Sequence, residues 1–297
     1  MKMRGAEGLT MSTVAAPEIP NMPLGNATSE EPLVSAKPAG AVDGKIAIIT
    51  GASRGIGRAI ALRLARNSAK ILLVARNEGA LASVAEEISS VGGTPKAWAA
   101  DLREAAAPAA AVSAAIEAFG ALDIVVNNAG ATKRGDFLEL TDADWLDGFA
   151  LKFFGAVRLV RAAWPHLVRR RGSVLNIIGI GGRTPGAEFT IGGSVNGAGL
   201  SFTKALADIG IRDGVQVNAI NPGWVRTDRL RALLQSTADQ LGGDMLAAVE
   251  QVLRRSNIVR LGEPEDVANL AAFILSAEGS LLQGSLIDLD GGQTKTL

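Results

Sequence analysis

Short apolar, β-branched runs alternate along most of this chain with longer stretches whose apolar residues recur every three or four positions. KIAIIT (45–50) is the first run, and the stretch behind it carries Ile56, Ile60 and Leu64 on one helical face. KILLVAR (70–76) is the second, followed by Leu81, Val84, Ile88 and Val91 at helical spacing and a stop at Gly92-Gly93. KAWAAD (96–101), LDIVVN (122–127), SVLNII (173–178), VQVNAI (215–220) and SLIDLD (285–290) extend the series, separated by alanine-rich or amphipathic stretches. About seven strands bounded by helices predict parallel pairing with right-handed crossovers, an α/β fold with a doubly wound parallel sheet. Ligands of such sheets bind beyond the carboxyl ends of the strands. The residues that follow each strand are therefore the informative ones.

The first part of the chain breaks this rhythm. Pro17, Pro20, Pro23, Pro32 and Pro38 interrupt any helix, and no apolar period is sustained. A disordered tail over 1–42 and one domain over 43–297 are expected. With 47% apolar and 20% charged residues among 297 and a formal net charge of zero, the composition is that of a soluble globular protein. It offers no basic excess for nucleic acid and no run long enough to span a membrane, and no stretch of signal-peptide length is seen, so a cytoplasmic protein is expected. Cysteine and tyrosine are absent and His166 is the single histidine. Disulfides and a thiol nucleophile are excluded, and no metal site is expected.

TGASRGIG (50–57) stands between the first strand and the first helix. Its glycines let a pyrophosphate approach the backbone, while the helix N-terminus presents free N–H donors and a positive dipole end. Further motifs follow in order: Asp101 after the third strand, NNAG (127–130) after the fourth, NPGWVRTD (221–228) after the sixth, then RLGEPEDVA (260–268) and DLDGG (288–292). With these, residues 45–292 resemble the short-chain dehydrogenase/reductase family, a single Rossmann-type domain. The resemblance implies dinucleotide contacts from Gly51, Ser53, Arg54, Gly55, Ile56, Gly57, Arg76, Asp101, Leu102, Asn128, Ala129, Gly130, Pro222, Gly223 and Thr227. The second strand ends in Ala75 and Arg76 where an NAD site usually places an acid. With Arg54 directed at the same ribose, two guanidinium groups and no carboxylate favour a 2′-phosphate, hence NADP(H) over NAD(H).

The family's catalytic tetrad is missing. Counting from AGLSFTKALA (198–207) and from SVLNII, the resemblance puts Gly192 at the tyrosine, Asn196 at the lysine and Gly179 at the serine, with Lys152 at the asparagine. No other tyrosine exists to take the role. Lys152 is the candidate for proton transfer, with Asn196 holding the ribose and Ser194 or Thr190 binding substrate; Lys152 as a ribose ligand is an equal alternative. Two readings follow: an NADP(H)-dependent oxidoreductase with a non-standard active site, or a catalytically inactive sensor, scaffold or partner subunit. Trp224 is expected to wall a substrate pocket. The segment 229–255 reads as a lid, whose Leu230, Leu233, Leu234 and Leu241 point to an apolar small-molecule substrate. His166, Trp98, Trp145 and Trp164 read as packing or surface residues. The resemblance also implies a homodimer or homotetramer through the helices at 149–171 and 195–209.

Overall fold

The computed structural model describes residues 42–295. The expected tail lies outside the described residues except for Val42, which is buried in the core, so the packed domain includes that residue. Strands β1 (Ile46–Thr50), β2 (Lys70–Ala75), β3 (Thr94–Ala99), β4 (Ile124–Asn127), β5 (Ser173–Ile177), β6 (Gln216–Pro222) and β7 (Leu286–Leu289) form one sheet in the order β3-β2-β1-β4-β5-β6-β7. Every pairing is parallel. The third strand begins at Thr94, ahead of the expected KAWAAD run, and includes Pro95. An edge strand tolerates that proline because one side of it has no ladder to complete.

Burial on both faces explains why these strands read as continuous apolar runs. Ala47, Ile49, Ile71, Leu73, Ile124 and Val126 point to one face, under helices α1 (Gly55–Arg66), α2 (Glu78–Ser90) and α9 (Pro264–Leu275). Their alternates Ile48, Leu72, Val74, Val125, Val174 and Val217 point to the other, under α3 (Ala107–Phe119), α5 (Ala156–Arg170) and α6 (Thr190–Asp213). Each fully buried aliphatic side chain contributes about 1.5–3 kcal/mol relative to an exposed one. A separate apolar cluster joins α7 (Asp228–Gln240) to α8 (Met245–Ser256) through Leu230, Leu234, Ala238 and Ala248.

Two features aim the functional residues. The chain winds outward from β1 to β3 and then crosses to β4 on the other side of β1, which opens a crevice at the carboxyl ends of these two central strands. In addition, α4 (Asp142–Phe149) runs into α5 through a π-helical turn at Ala150–Gly155. Such turns shift the facing of the residues they contain and recur at functional sites. Lys152 lies in this one.

Candidate active site

The glycine loop is built for a close neighbour. A Cβ at Gly57 would lie 2.3 Å from the Gly51 carbonyl oxygen, and one at Gly51, whose φ is +66°, would lie 2.8 Å from Nδ2 of Asn128. Either contact would displace backbone that the loop needs. Among the described helices, α2, α4 and α8 take side-chain caps from Asn77, Thr141 and Asp244. By contrast α1 has no side-chain cap and no acid in its first turn, so its leading N–H groups are left for an anion. A dinucleotide pyrophosphate fits that provision. Thr227 reaches across from the β6 side, its methyl 3.3 Å from where a Gly55 Cβ would stand.

Several expected contact residues also shape the cradle. Asn128 donates through Nδ2 to the carbonyls of Thr50 (2.9 Å) and Gly51 (3.3 Å), and the Thr50 hydroxyl accepts from the N–H groups of Asn128 and Ala129, both at 2.9 Å. These bonds tie the NNAG turn to the glycine loop. Ile56 packs against the core from α1, and Leu102 is buried in the opposite core layer. Pro222 ends β6 within the sheet, and Gly223 passes so close to Asp290 that a Cβ would lie 2.8 Å from it. Ser53 and Gly130 remain half-buried beside the crevice. Asn127, one position before this set, donates to Asn176, which donates to Thr203, each at 2.9 Å.

The two arginines expected at the ribose end are accessible. Arg76 is 66% exposed, with Nη1 3.7 Å from Asp101; Arg54 is 78% exposed, with Nη1 3.6 Å from Asp228. Exposed pairs this long are worth about 0–1 kcal/mol, so either guanidinium can exchange its partner for a phosphate. Asp101 also accepts from the backbone N–H and guanidinium of Arg103.

Beyond the cradle, Lys152 and Asn196 come together. Lys152 Nζ donates to Asn196 Oδ1 and to the Ile178 carbonyl oxygen, both at 2.5 Å. Its stem runs along Gly130, where a Cβ would come within 2.9 Å of the lysine Cδ. Desolvation, followed by the charge of Arg229, lowers the Lys152 pKa to about 7. Ser194, in contrast, is exposed, while Thr190 is half-buried with its hydroxyl buried and unpartnered.

The space a tyrosine at 192 would use is filled. A Cβ on Gly192 would stand 2.0 Å from Phe189 Cζ, and one on Gly181 would stand 2.8 Å from Cε1 of the same ring. The guanidinium carbon of Arg134 lies 4.8 Å from the ring centroid, in cation–π range. Arg229 donates to the Gly130 carbonyl at 2.7 Å, and the neighbouring charges of Arg54 and Arg134, with desolvation first, hold its pKa below the ordinary arginine value. Phe189, Arg134 and Arg229 have no local signal in the chain. They meet only because the loop between β4 and α4, the turn before α6 and the first turn of α7 converge.

The lid expectation changes in one respect. Leu230 and Leu234 are buried between α7 and α8, Leu233 packs against the same cluster, and Leu241 is exposed. The first three join helix to helix, and this removes the ground for reading them as an apolar substrate surface. Trp224 packs against the same cluster and donates from Nε1 to Ser256 Oγ at 2.8 Å, so it anchors α8. Trp98 and Trp164 pack against the core, Trp164 also donating to Asp213. Trp145 is half-buried on α4, and His166 pairs with Arg169 on α5. Among the described residues no cluster of metal-ligating side chains occurs, and no helix is long and apolar enough to cross a membrane.

Known proteins resemble this chain in sequence and in fold. An uncharacterised oxidoreductase of Mycobacterium tuberculosis is 36% identical over 85% of this chain and 93% of its own length. The short-chain reductase NovJ of Streptomyces niveus is 32% identical over 84% of this chain and 93% of its own. The structure of L-sorbose reductase from Gluconobacter frateurii, complexed with NADPH and L-sorbose, superposes with a TM-score of 0.83 at 33% identity, covering 86% of this chain and 99% of that one. Residues 45–238 match the family model described as short chain dehydrogenase. With the glycine loop, the sheet order and these matches in agreement, the chain belongs to the short-chain dehydrogenase family.

Proposed function

We propose that this protein is an NADP(H)-dependent oxidoreductase in which Lys152 moves the substrate proton. The observation that carries the reading is the setting of Lys152: a desolvated amine whose two short hydrogen bonds both run to uncharged acceptors. A neutral amine has two N–H bonds and one lone pair. Ile178 and Asn196 take the two N–H bonds, and the lone pair is left to accept or release a third proton near pH 7. The bound dinucleotide supplies or accepts the hydride. In the reducing direction the Lys152 ammonium gives its proton to the carbonyl oxygen and remains as the amine, still held by Ile178 and Asn196; oxidation reverses this. The accessible Arg54 and Arg76 support NADP(H) over NAD(H), and the NADPH-bound sorbose reductase agrees with that choice. The family's habit of pairing the helices at 149–171 and 195–209 supports a homodimer or homotetramer.

One observation favours the alternative, a dinucleotide-binding protein without turnover. The Phe189 ring covers Gly181 and Gly192 and narrows the place where substrate would meet the cofactor. A single experiment separates the two. Wild type and Lys152→Met are titrated with NADPH and NADH, then assayed against carbonyls and alcohols at the nicotinamide absorbance. Lys152 as proton donor predicts turnover about 10²-fold lower in the variant with nearly unchanged NADPH affinity, and a wild-type reduction rate that falls as pH rises through about 7. A ribose-binding role predicts weaker NADPH binding and intact chemistry at saturation. NADH binding as tight as NADPH would remove the cofactor preference.

A further inference from the structure

Three cations at this site have no carboxylate partner among the described residues. Lys152, Arg134 and Arg229 converge on the crevice: Lys152 bonds to a carbonyl and an amide, Arg229 to the Gly130 carbonyl, and Arg134 rests on the Phe189 ring. Nearby cations that have no part here are neutralised, Lys133 by Asp144 at 2.9 Å and Arg183 by Asp288 at 3.2 Å. Arg134 and Arg229 are exposed beside the half-buried Lys152, and like charges gathered at one mouth repel unless something anionic joins them. Position decides which anion. Arg54 and Arg76 sit at the ribose and pyrophosphate side, on the loops that follow β1 and β2. Arg134 lies in the loop between β4 and α4, and its guanidinium is held by the ring that covers Gly192 and Gly181, on the substrate side of Lys152. The same loop is pinned there by the Gly135 N–H, which donates to the Glu188 carbonyl at 3.2 Å. Arg229 stands between the two groups, within electrostatic reach of both Arg54 and Arg134.

We infer that Arg134 and Arg229 form an anion clamp for the substrate, restricting it to carbonyl or alcohol compounds that carry a carboxylate or phosphate group. This rests on the oxidoreductase reading for the meaning of the site, though not for the presence of the clamp. A guanidinium presents paired N–H donors that match the two oxygens of either group, and a cation stacked on an aromatic face is already oriented before the ligand arrives. The anion would approach over the Phe189 ring, leaving the reacting carbon toward Lys152. Phe189 thereby has a positive role: it positions Arg134.

The test uses protein saturated with NADP+, so that the dinucleotide's own phosphates have already taken their arginines. Benzoate, phenyl phosphate and methyl benzoate are titrated calorimetrically into wild type, Arg134→Gln and Arg134→Lys. Benzoate or phenyl phosphate should bind at least tenfold more tightly than the ester, and whichever does so identifies the anion. Arg134→Gln should erase that preference, Arg134→Lys should keep part of it, and NADP+ affinity should stay the same in all three. Equal binding of the three probes, or no binding, would overturn the clamp. So would anion binding seen only in cofactor-free protein and lost as NADP+ is added, since the arginines would then serve the dinucleotide. If anions bind as expected while the protein turns over no carbonyl or alcohol, the oxidoreductase reading fails and the clamp stands.

Discussion

Phe189 and Gly192 are three residues apart, and each accounts for the other. The ring needs the room that only glycine leaves, since a Cβ at 192 would lie within 2.1 Å of two ring carbons. A tyrosine placed where the family resemblance expects one, Gly192→Tyr, should therefore destabilise the fold by about 1–3 kcal/mol, the usual cost of overpacking, and should not raise activity. Combined with Phe189→Ala the loss should shrink, giving a coupling energy of at least about 1 kcal/mol in a double-mutant cycle followed by urea unfolding. Additive losses would mean that the ring and the restored side chain do not compete. Lys152 and Asn196 could be found by counting because each lies in a helix at a set distance from a recognisable motif. Their mutual hydrogen bond could not, since 44 residues separate them.

Between elements, the sheet is held at its two ends by different chemistry. At the carboxyl end, hydrogen bonds through Thr50, Asn128 and the Asn127–Asn176–Thr203 chain stiffen the crevice. At the other end Asp123, only 1% exposed, accepts from the Ile46 N–H at 3.0 Å and from Arg170 at 2.9 Å, with Lys45 at 3.9 Å. One carboxylate thus ties the start of β1 to the last turn of α5 beside β4. Asp123→Ala leaves a buried N–H without its partner and frees two half-exposed cations, and should lower the unfolding free energy by about 1–3 kcal/mol in urea. A loss below about 1 kcal/mol would show that solvent replaces the carboxylate at this edge. Strand positions were legible because a strand buried on both faces has a compact apolar signature. The π-helical turn was not, because nothing in ALKFFG separates it from an ordinary helix.

At the scale of the whole molecule, the surface of α5 and α6 retains apolar residues that the monomer does not bury. Phe154 in the π turn, Val168 on α5 and Ile209 and Ile211 on α6 are all exposed. Apolar groups distributed over two neighbouring helices are the material of an interface between copies. Sedimentation at micromolar concentration should give a dimer or tetramer; a monomer would refute the assembly and leave these residues as ordinary surface.

Fold class, the number and order of the strands along the chain, the glycine loop and the absence of any tyrosine were decided by the sequence alone. Each depends on local spacing: a two-residue or 3.6-residue period, a glycine where backbone must pass backbone, a residue type that is simply absent. The setting of Lys152 and the placement of the Phe189 ring against Gly192 were decided only by the tertiary structure. So were the use of the lid leucines to join α7 to α8 and the gathering of Arg134 and Arg229 at one mouth. These depend on which loops the winding of the sheet brings to the same carboxyl edge. Desolvation and like-charge repulsion, the forces that lower the Lys152 pKa, exist only once those segments have met.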